Sequence, residues 1–128
     1  MATSLRVLVV DDRRDSVMLL QALLNRAGHE VRTAENGADG LEAARQFAPH
    51  VVISDLGLGG PVDGCAFISA VRADPTNENP FFIAVTGYDD DEHRRSALAA
   101  GFHHYLVKPA PIEELLSVLS QIQARRGE

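Results

Sequence analysis

Five short apolar segments alternate with five segments of helical periodicity, and this alternation constrains the fold more than any other feature of the sequence. The apolar segments cover residues 5–10, about 30–34, 51–53, 81–85 and 104–107. After each of them, apolar residues recur every three or four positions, which is typical of an amphipathic helix packed on a core. Strict alternation of strand and helix predicts an α/β fold in which a parallel sheet is covered by helices on both faces.

Length and composition limit the domain count and the classes of partner. The 128 residues are enough for one core, so we expect a single domain over 1–128 with its core at about 5–123. No apolar run approaches the roughly 20 residues of a membrane-spanning helix, and no secretory signal is present. The lone Cys65 fits a reducing compartment, so we expect a cytoplasmic protein without a membrane partner. The net charge of -6 argues against direct binding to nucleic acid, because a phosphate backbone would be repelled.

Polar residues follow four of the five predicted strands at the point where each strand ends. Asp11 and Asp12 follow the first strand, and Asp55 follows the third. Thr86 ends the fourth strand and Lys108 follows the fifth. In parallel sheets, ligands bind beyond the carboxyl ends of the strands, where the strand order reverses. The sequence therefore predicts that these five side chains meet at one edge of the sheet.

This set of side chains predicts a magnesium site. Crowded carboxylates repel one another unless a cation joins them, and Mg²⁺ prefers carboxylate and carbonyl oxygens. Asp12 and Asp55, with the backbone carbonyl of Gly57 two residues further on, supply such ligands, and Asp11 completes the acidic cluster.

The same set predicts a phosphoryl acceptor. A carboxylate can act as a nucleophile and form an aspartyl phosphate, and Asp55 is the best candidate because a glycine-rich loop follows it. The compact charge of Lys108 can neutralise Asp55 at rest and a phosphoryl oxygen afterwards. The hydroxyl of Thr86 can donate to another phosphoryl oxygen.

Each residue also has a simpler interpretation. An aspartate pair after a strand often caps a helix, and a single aspartate or threonine at a strand end is often a turn residue. Lys108 and Pro109 could form a surface turn, although an X-Pro bond at a strand end is a candidate for the cis form. One geometry explains all of these residues together, and we therefore prefer it.

At these positions the sequence resembles response-regulator receiver domains, over about 5–123. The resemblance rests on VLVVDD at 7–12, VVISD at 51–55, DG at 63–64, AVTG at 84–87, AGF at 100–102 and YLVKP at 105–109. It implies a single receiver domain with a flavodoxin-like (βα)5 three-layer sandwich and a five-stranded parallel sheet of order 2-1-3-4-5. It also implies that Asp55 takes a phosphoryl group, with Mg²⁺, from a phosphohistidine of a histidine kinase or histidine phosphotransfer protein. Slow self-catalysed hydrolysis would follow.

The resemblance further implies a conformational switch. Thr86 would move toward the phosphoryl group and Tyr105 would turn inward, which changes the surface of helix four, strand five and helix five. A downstream partner would bind this surface. A narrower resemblance, carried by DLGL at 55–58 and VTGY at 85–88, is to the receivers of hybrid histidine kinases.

One loop departs from the family pattern. The family usually places a proline four residues after the acceptor and a glycine four residues after that. Here the proline is Pro61, and Gly64 lies nine residues after Asp55, so the loop is one residue longer. The pair Gly59 and Gly60 predicts a more flexible loop.

Two other functions are compatible with part of this residue set. A phosphohydrolase working through an aspartyl phosphate usually needs a second aspartate two residues after the nucleophile, and that position is Gly57, which cannot transfer a proton. An interaction domain that is never phosphorylated would not need the complete set of acids, threonine and lysine. The sequence therefore favours a signalling domain whose own residues catalyse only phosphoryl acceptance and slow self-dephosphorylation, rather than an enzyme.

Overall fold

Five strands and five helices alternate along the chain in the computed structural model, which describes residues 4–60, 62–77, 79–109 and 111–126. Their order is β1 (Arg6–Val10), α1 (Arg14–Arg26), β2 (Glu30–Ala34), α2 (Gly37–Phe47), β3 (Val51–Ser54), α3 (Gly64–Ala73), β4 (Phe81–Thr86), α4 (Asp91–Ala100), β5 (His104–Val107) and α5 (Ile112–Arg126). The predicted strands agree with these bounds to within one residue. In the described part of the chain, no helix combines the length and apolarity needed to cross a membrane.

The five strands form one parallel sheet of order β2-β1-β3-β4-β5, which confirms the predicted fold class. The order reverses at β1, which pairs with β2 on one side and with β3 on the other. Val10 is level with Ser54, so the carboxyl ends of β1 and β3 lie side by side, and Ser54 is level with Ala84, two residues before the end of β4. Thr86 is level with Val107, the last residue of β5. The residues that follow these ends are therefore neighbours.

Two hydrophobic cores lie on opposite faces of the sheet. Alternate strand residues point to opposite faces, so Leu8 and Val10 enter one core while Val7 and Val9 enter the other. The first core is completed by α2, α3 and α4, with Phe67 fully buried. The second is completed by α1 and α5. Burial on both faces explains why β1, β3 and β4 are almost continuously apolar, whereas β2 at the edge of the sheet buries only Ala34.

Of the four helices whose N-caps the structure describes, three begin with a side-chain cap and α1 does not. Asn36, Asp63 and Asp90 accept hydrogen bonds from backbone N–H groups in the first turns of α2, α3 and α4. The N-cap of α1 is Arg13, whose side chain makes no capping bond. Neither Asp11 nor Asp12 therefore serves as the N-cap of α1, and the simpler interpretation of this pair is wrong.

Histidine rings satisfy backbone N–H groups at the opposite rim, where the strands begin. Nδ1 of His29 accepts from the N–H of Leu5 at 3.3 Å, and Nδ1 of His103 accepts from the N–H of Phe82 at 3.0 Å. An accepting Nδ1 must be unprotonated. His29 is buried, and burial lowers its pKa below the ordinary value of 6.5.

Acid should therefore weaken the fold through His29. The unfolded chain takes up this proton near pH 6.5 and the folded chain only at lower pH. The stabilisation is complete above pH 6.5 and is lost as the pH falls from there through the lowered pKa, with a slope of at most about 1.4 kcal/mol per pH unit. Urea unfolding of wild type and His29→Gln between pH 8 and 5 measures this, and equal pH dependence in both would contradict it.

Candidate functional site

Three carboxylates meet at the carboxyl edge of the sheet. One oxygen from each of Asp11, Asp12 and Asp55 lies within 4.8 Å of the other two. Asp11 is 3% exposed and Asp55 is 8% exposed, whereas Asp12 is on the surface. The end of β1 supplies the first two and the end of β3 supplies the third, because these strands are adjacent and level.

Lys108, which follows β5, lies between two of these acids. Its Nζ donates to Oδ2 of Asp11 at 2.8 Å and to Oδ2 of Asp55 at 2.9 Å. Burial by itself would lower the pKa of Lys108, but the hydrogen bonds and charges of the two carboxylates outweigh it, and the pKa is raised. The ammonium group therefore stays charged, and it holds the segment after β5 against the ends of β1 and β3.

Backbone groups hold the remaining carboxylate oxygens. Oδ1 of Asp11 accepts from the N–H of Arg13 at 2.9 Å, which fixes the turn between β1 and α1. Oδ1 of Asp55 accepts from the N–H of Gly57 at 3.2 Å. Asp11 and Asp55 therefore each accept a hydrogen bond from the Lys108 ammonium group on one carboxylate oxygen and from a backbone N–H on the other.

The cluster fits a hard divalent cation. Asp11, Asp12 and Asp55 carry three negative charges, and Lys108 balances one of them. Asp12 is exposed, and its oxygen lies next to an open pocket that Asp55 and Gly57 also line. The available donors are all oxygens, which Mg²⁺ prefers over nitrogen or sulfur. The acidic cluster is therefore able to bind Mg²⁺.

Thr86 lines the same pocket. The residue is fully buried at the end of β4, and it lines the pocket with Gly87 and Tyr88. Its Oγ1 is 3.5 Å from the backbone nitrogen of Tyr88, a long hydrogen bond. Oγ1 is the acceptor in this bond, so the hydroxyl can still donate its proton to a new acceptor.

Tyr105 is half-buried on the outermost strand, 17 residues along the chain from Tyr88. Its hydroxyl donates to the backbone carbonyl of Tyr88 at 2.7 Å, and the guanidinium of Arg94 lies 4.6 Å from the ring centroid. Burial raises the pKa of Tyr105, so the phenol keeps its proton. The peptide bond between Lys108 and Pro109 is cis.

The long loop after β3 is attached at both ends by buried groups. Leu56 is 6% exposed and Leu58 is 2% exposed, so two of its side chains belong to the core. The N–H of Gly64 donates to the carbonyl of Leu56 at 2.8 Å. Gly59 and Gly60 have φ of 64° and 82°, values that favour glycine. The displaced Pro61 lies outside the described residues.

Sequence reasoning missed an aromatic stack beside this pocket. The rings of Tyr88 and His93 are parallel to within 2°, with centroids 3.9 Å apart. Nδ1 of His93 lies 2.6 Å from Oδ1 of Asp90, the N-cap of α4. The one available signal was an aromatic residue two positions after Thr86 and two positions before the N-cap of α4.

The fold and this edge cluster define a class of signalling protein. Residues 7–120 match the family described as response regulator receiver domain. The chain belongs to this family, and it is therefore a receiver domain of two-component signalling. The family recognised in the sequence is confirmed.

Two curated relatives show the range of proteins that contain such a domain. The transcriptional regulatory protein PrrA of Mycobacterium tuberculosis is 37% identical over 126 residues, which are 98% of this chain and 52% of that protein. Protein PilH of Pseudomonas aeruginosa is 34% identical over 119 residues, which are 93% of this chain and 98% of that protein. The chain thus spans about half the length of PrrA and nearly all of PilH.

A solved receiver structure has the same fold. The receiver domain of sensor histidine kinase PA1611 from Pseudomonas aeruginosa, with a magnesium ion in its active site cleft, matches with a TM-score of 0.85. The match covers 95% of this chain and 99% of that one, at 24% identity, which shows the fold alone. The narrower resemblance to receivers of hybrid kinases stays a prediction.

Proposed function

We propose that Asp55 accepts a phosphoryl group from a phosphohistidine donor in the presence of Mg²⁺. The observation that carries this proposal is the position of Asp55, whose carboxylate reaches both the Lys108 ammonium and the open pocket lined by Asp12 and Thr86. An anionic oxygen beside a fixed cation and an entry route is the arrangement that phosphoryl transfer to a carboxylate requires.

The transfer exchanges one bond to phosphorus for another. A carboxylate oxygen of Asp55 forms a bond to phosphorus, the P–N bond of the phosphohistidine breaks, and its electron pair returns to the ring nitrogen of the donor. Lys108 then neutralises charge on the phosphoryl oxygens, because it already lies 2.9 Å from Asp55. Thr86 donates its hydroxyl to another phosphoryl oxygen.

The residues that would hold Mg²⁺ are Asp11, Asp12, Asp55 and the backbone carbonyl of Gly57. When bound, the ion supplies positive charge against the carboxylates and the phosphoryl oxygens. Asp11 is already shared with Lys108, so it holds the ammonium in place as well as contributing negative charge. The choice of ion rests on the oxygen donors of the acidic cluster.

The proposed partners follow from the family. Receiver domains interact with histidine kinases or histidine phosphotransfer proteins, and we infer that one of these is the donor. The surface of α4, β5 and α5 would carry the signal to a downstream partner through Thr86 and Tyr105. The location would be cytoplasmic. A phosphohydrolase is disfavoured because Gly57 offers no side chain as a general acid.

Acetyl phosphate tests the proposed function without a donor protein. The full chain is incubated with acetyl phosphate and Mg²⁺, its intact mass is measured, and the modified peptide is located after borohydride reduction. We expect one added phosphoryl group, located on Asp55 and absent when EDTA replaces Mg²⁺. Rapid turnover of phosphate esters would indicate a phosphohydrolase instead, and no adduct would indicate an interaction domain.

Lys108→Met should slow this reaction by about 100-fold, the effect of removing one preorganised donor from a site of developing charge. Methionine keeps the apolar stem and removes the charge that faces Asp11 and Asp55. The measurement is the initial rate of adduct formation at a fixed acetyl phosphate concentration.

Lys108→Arg is the matched control, because it keeps the charge but replaces a point ammonium with a planar fork. We expect a rate between those of wild type and Lys108→Met. A wild-type rate in Lys108→Met would contradict the role of the ammonium group.

A further inference from the structure

The ring of Tyr88 separates the acceptor pocket from a second groove. Tyr88 and Gly57 line both the pocket with Asp55 and a neighbouring groove between the loop after β3 and helix α4. A side chain at Gly57 would begin 3.6 Å from the Tyr88 hydroxyl, so the phenol lies directly over this glycine. Tyr88 is 45% exposed and is therefore not held by burial.

His93 is the group that fixes this ring. The two rings stack at 3.9 Å with an angle of 2° between their planes. Asp90 fixes His93 in turn, since its carboxylate contacts Nδ1 at 2.6 Å and accepts the backbone N–H of His93 at 3.0 Å. These hydrogen bonds, first that of the backbone N–H of His93 and then that of its ring, lower the pKa of Asp90, so the carboxylate is charged. The start of α4 therefore sets the position of the phenol.

We propose that His93 is a positioning residue that, by stacking on Tyr88, holds the phenol across the Gly57 side of the acceptor pocket and prolongs the life of the phosphoryl group on Asp55. This inference rests on the proposed function and adds a residue that controls how fast the phosphoryl group is lost from Asp55. Excluding water from a reactive intermediate is a general way to prevent its hydrolysis.

The step that the ring slows is attack by water. The water oxygen bonds to phosphorus, and the bond from phosphorus to the Asp55 oxygen breaks with its electron pair left on the carboxylate. Both water protons leave on orthophosphate. Asp12, Asp55 and Thr86 line this pocket together with Gly57, and the Tyr88 ring lies over Gly57. Moving the Tyr88 ring opens a second route by which water can approach the phosphorus atom, from the neighbouring groove.

The lifetime of the adduct tests this inference. The full chain and its variants are phosphorylated with acetyl phosphate and Mg²⁺, freed of reagent by rapid desalting, and followed by intact mass. We expect His93→Ala and Tyr88→Ala each to shorten the half-life by roughly three- to tenfold. His93→Phe keeps an aromatic partner for the stack and should retain the wild-type half-life. The double variant should decay no faster than Tyr88→Ala, because both changes act through one ring.

Leu98→Ala is the control for general loosening of α4, since Leu98 is 52% exposed on that helix. It should leave the half-life unchanged, and an equal shortening there would overturn the proposal. An unchanged or longer half-life in His93→Ala or Tyr88→Ala would also overturn it while leaving the acceptor role of Asp55 intact. Failure of the wild-type chain to form any adduct would overturn both proposals.

Discussion

Replacing Asp55 with asparagine should abolish the phosphoryl adduct completely and leave the fold intact. The amide has nearly the shape of the carboxylate but no anionic oxygen, so it cannot attack phosphorus. The substitution also removes one of the two carboxylates that contact Lys108. The ammonium group keeps its 2.8 Å contact with Asp11. The adduct is measured by intact mass after incubation with acetyl phosphate and Mg²⁺.

Asp63→Asn is the matched control for this change. Asp63 lies on the same loop and caps α3 by accepting from the N–H of Ala66 at 2.8 Å. Asparagine caps a helix about as well as aspartate, so the adduct and the melting temperature should both be retained. An adduct of full intensity in Asp55→Asn would place the acceptor on another residue and contradict the proposed function.

Gly64→Ala should produce the largest loss of stability among single changes near the site. A β-carbon at Gly64 would overlap the backbone carbonyl oxygen of Asp55 and lie 2.9 Å from the Cα of Leu56. Backbone atoms cannot move aside as a flexible side chain can, so the loop and α3 must separate. We expect a cost of about 3 kcal/mol, or a fall of roughly 10 °C in melting temperature. Phosphorylation should slow as well, since Asp55 would shift.

Gly87→Ala is the control for the loss of a glycine beside the same pocket. A β-carbon there would meet nothing within 4 Å, and the φ of Gly87 is not positive. Its melting temperature should stay within about 2 °C of wild type, a shift of less than 0.5 kcal/mol. Equal melting temperatures for Gly64→Ala and wild type would show that the loop can relax around the added carbon.

The fold was predictable because its signals are local and repeated. Strand-length apolar runs, followed by stripes of 3.6-residue period, require a parallel sheet with two cores. The edge cluster was predictable for a related reason. Once the strands are parallel and level, Asp11, Asp55 and Lys108 follow strand ends and must be neighbours.

Features that depend on tertiary contacts were not predictable. The sequence suggested a flexible loop after Asp55, but it could not show that Leu56 and Leu58 anchor the loop in the core. Acidic residues at the start of α4 are favourable on local grounds alone, because they lie next to a helix N-terminus. In the structure, one of them, Asp90, also fixes the His93 ring that stacks on Tyr88.

By itself, the sequence determined the sheet, its helices and the edge at which three acids, a threonine and a lysine collect, because hydrophobic periodicity fixes which residues end each strand. Only the tertiary structure decided how those groups share their contacts. Lys108 divides its ammonium between Asp11 and Asp55, and Tyr88 closes one side of the pocket. Such contacts join residues up to 97 positions apart, and their geometry depends on packing of the whole domain rather than on local pattern.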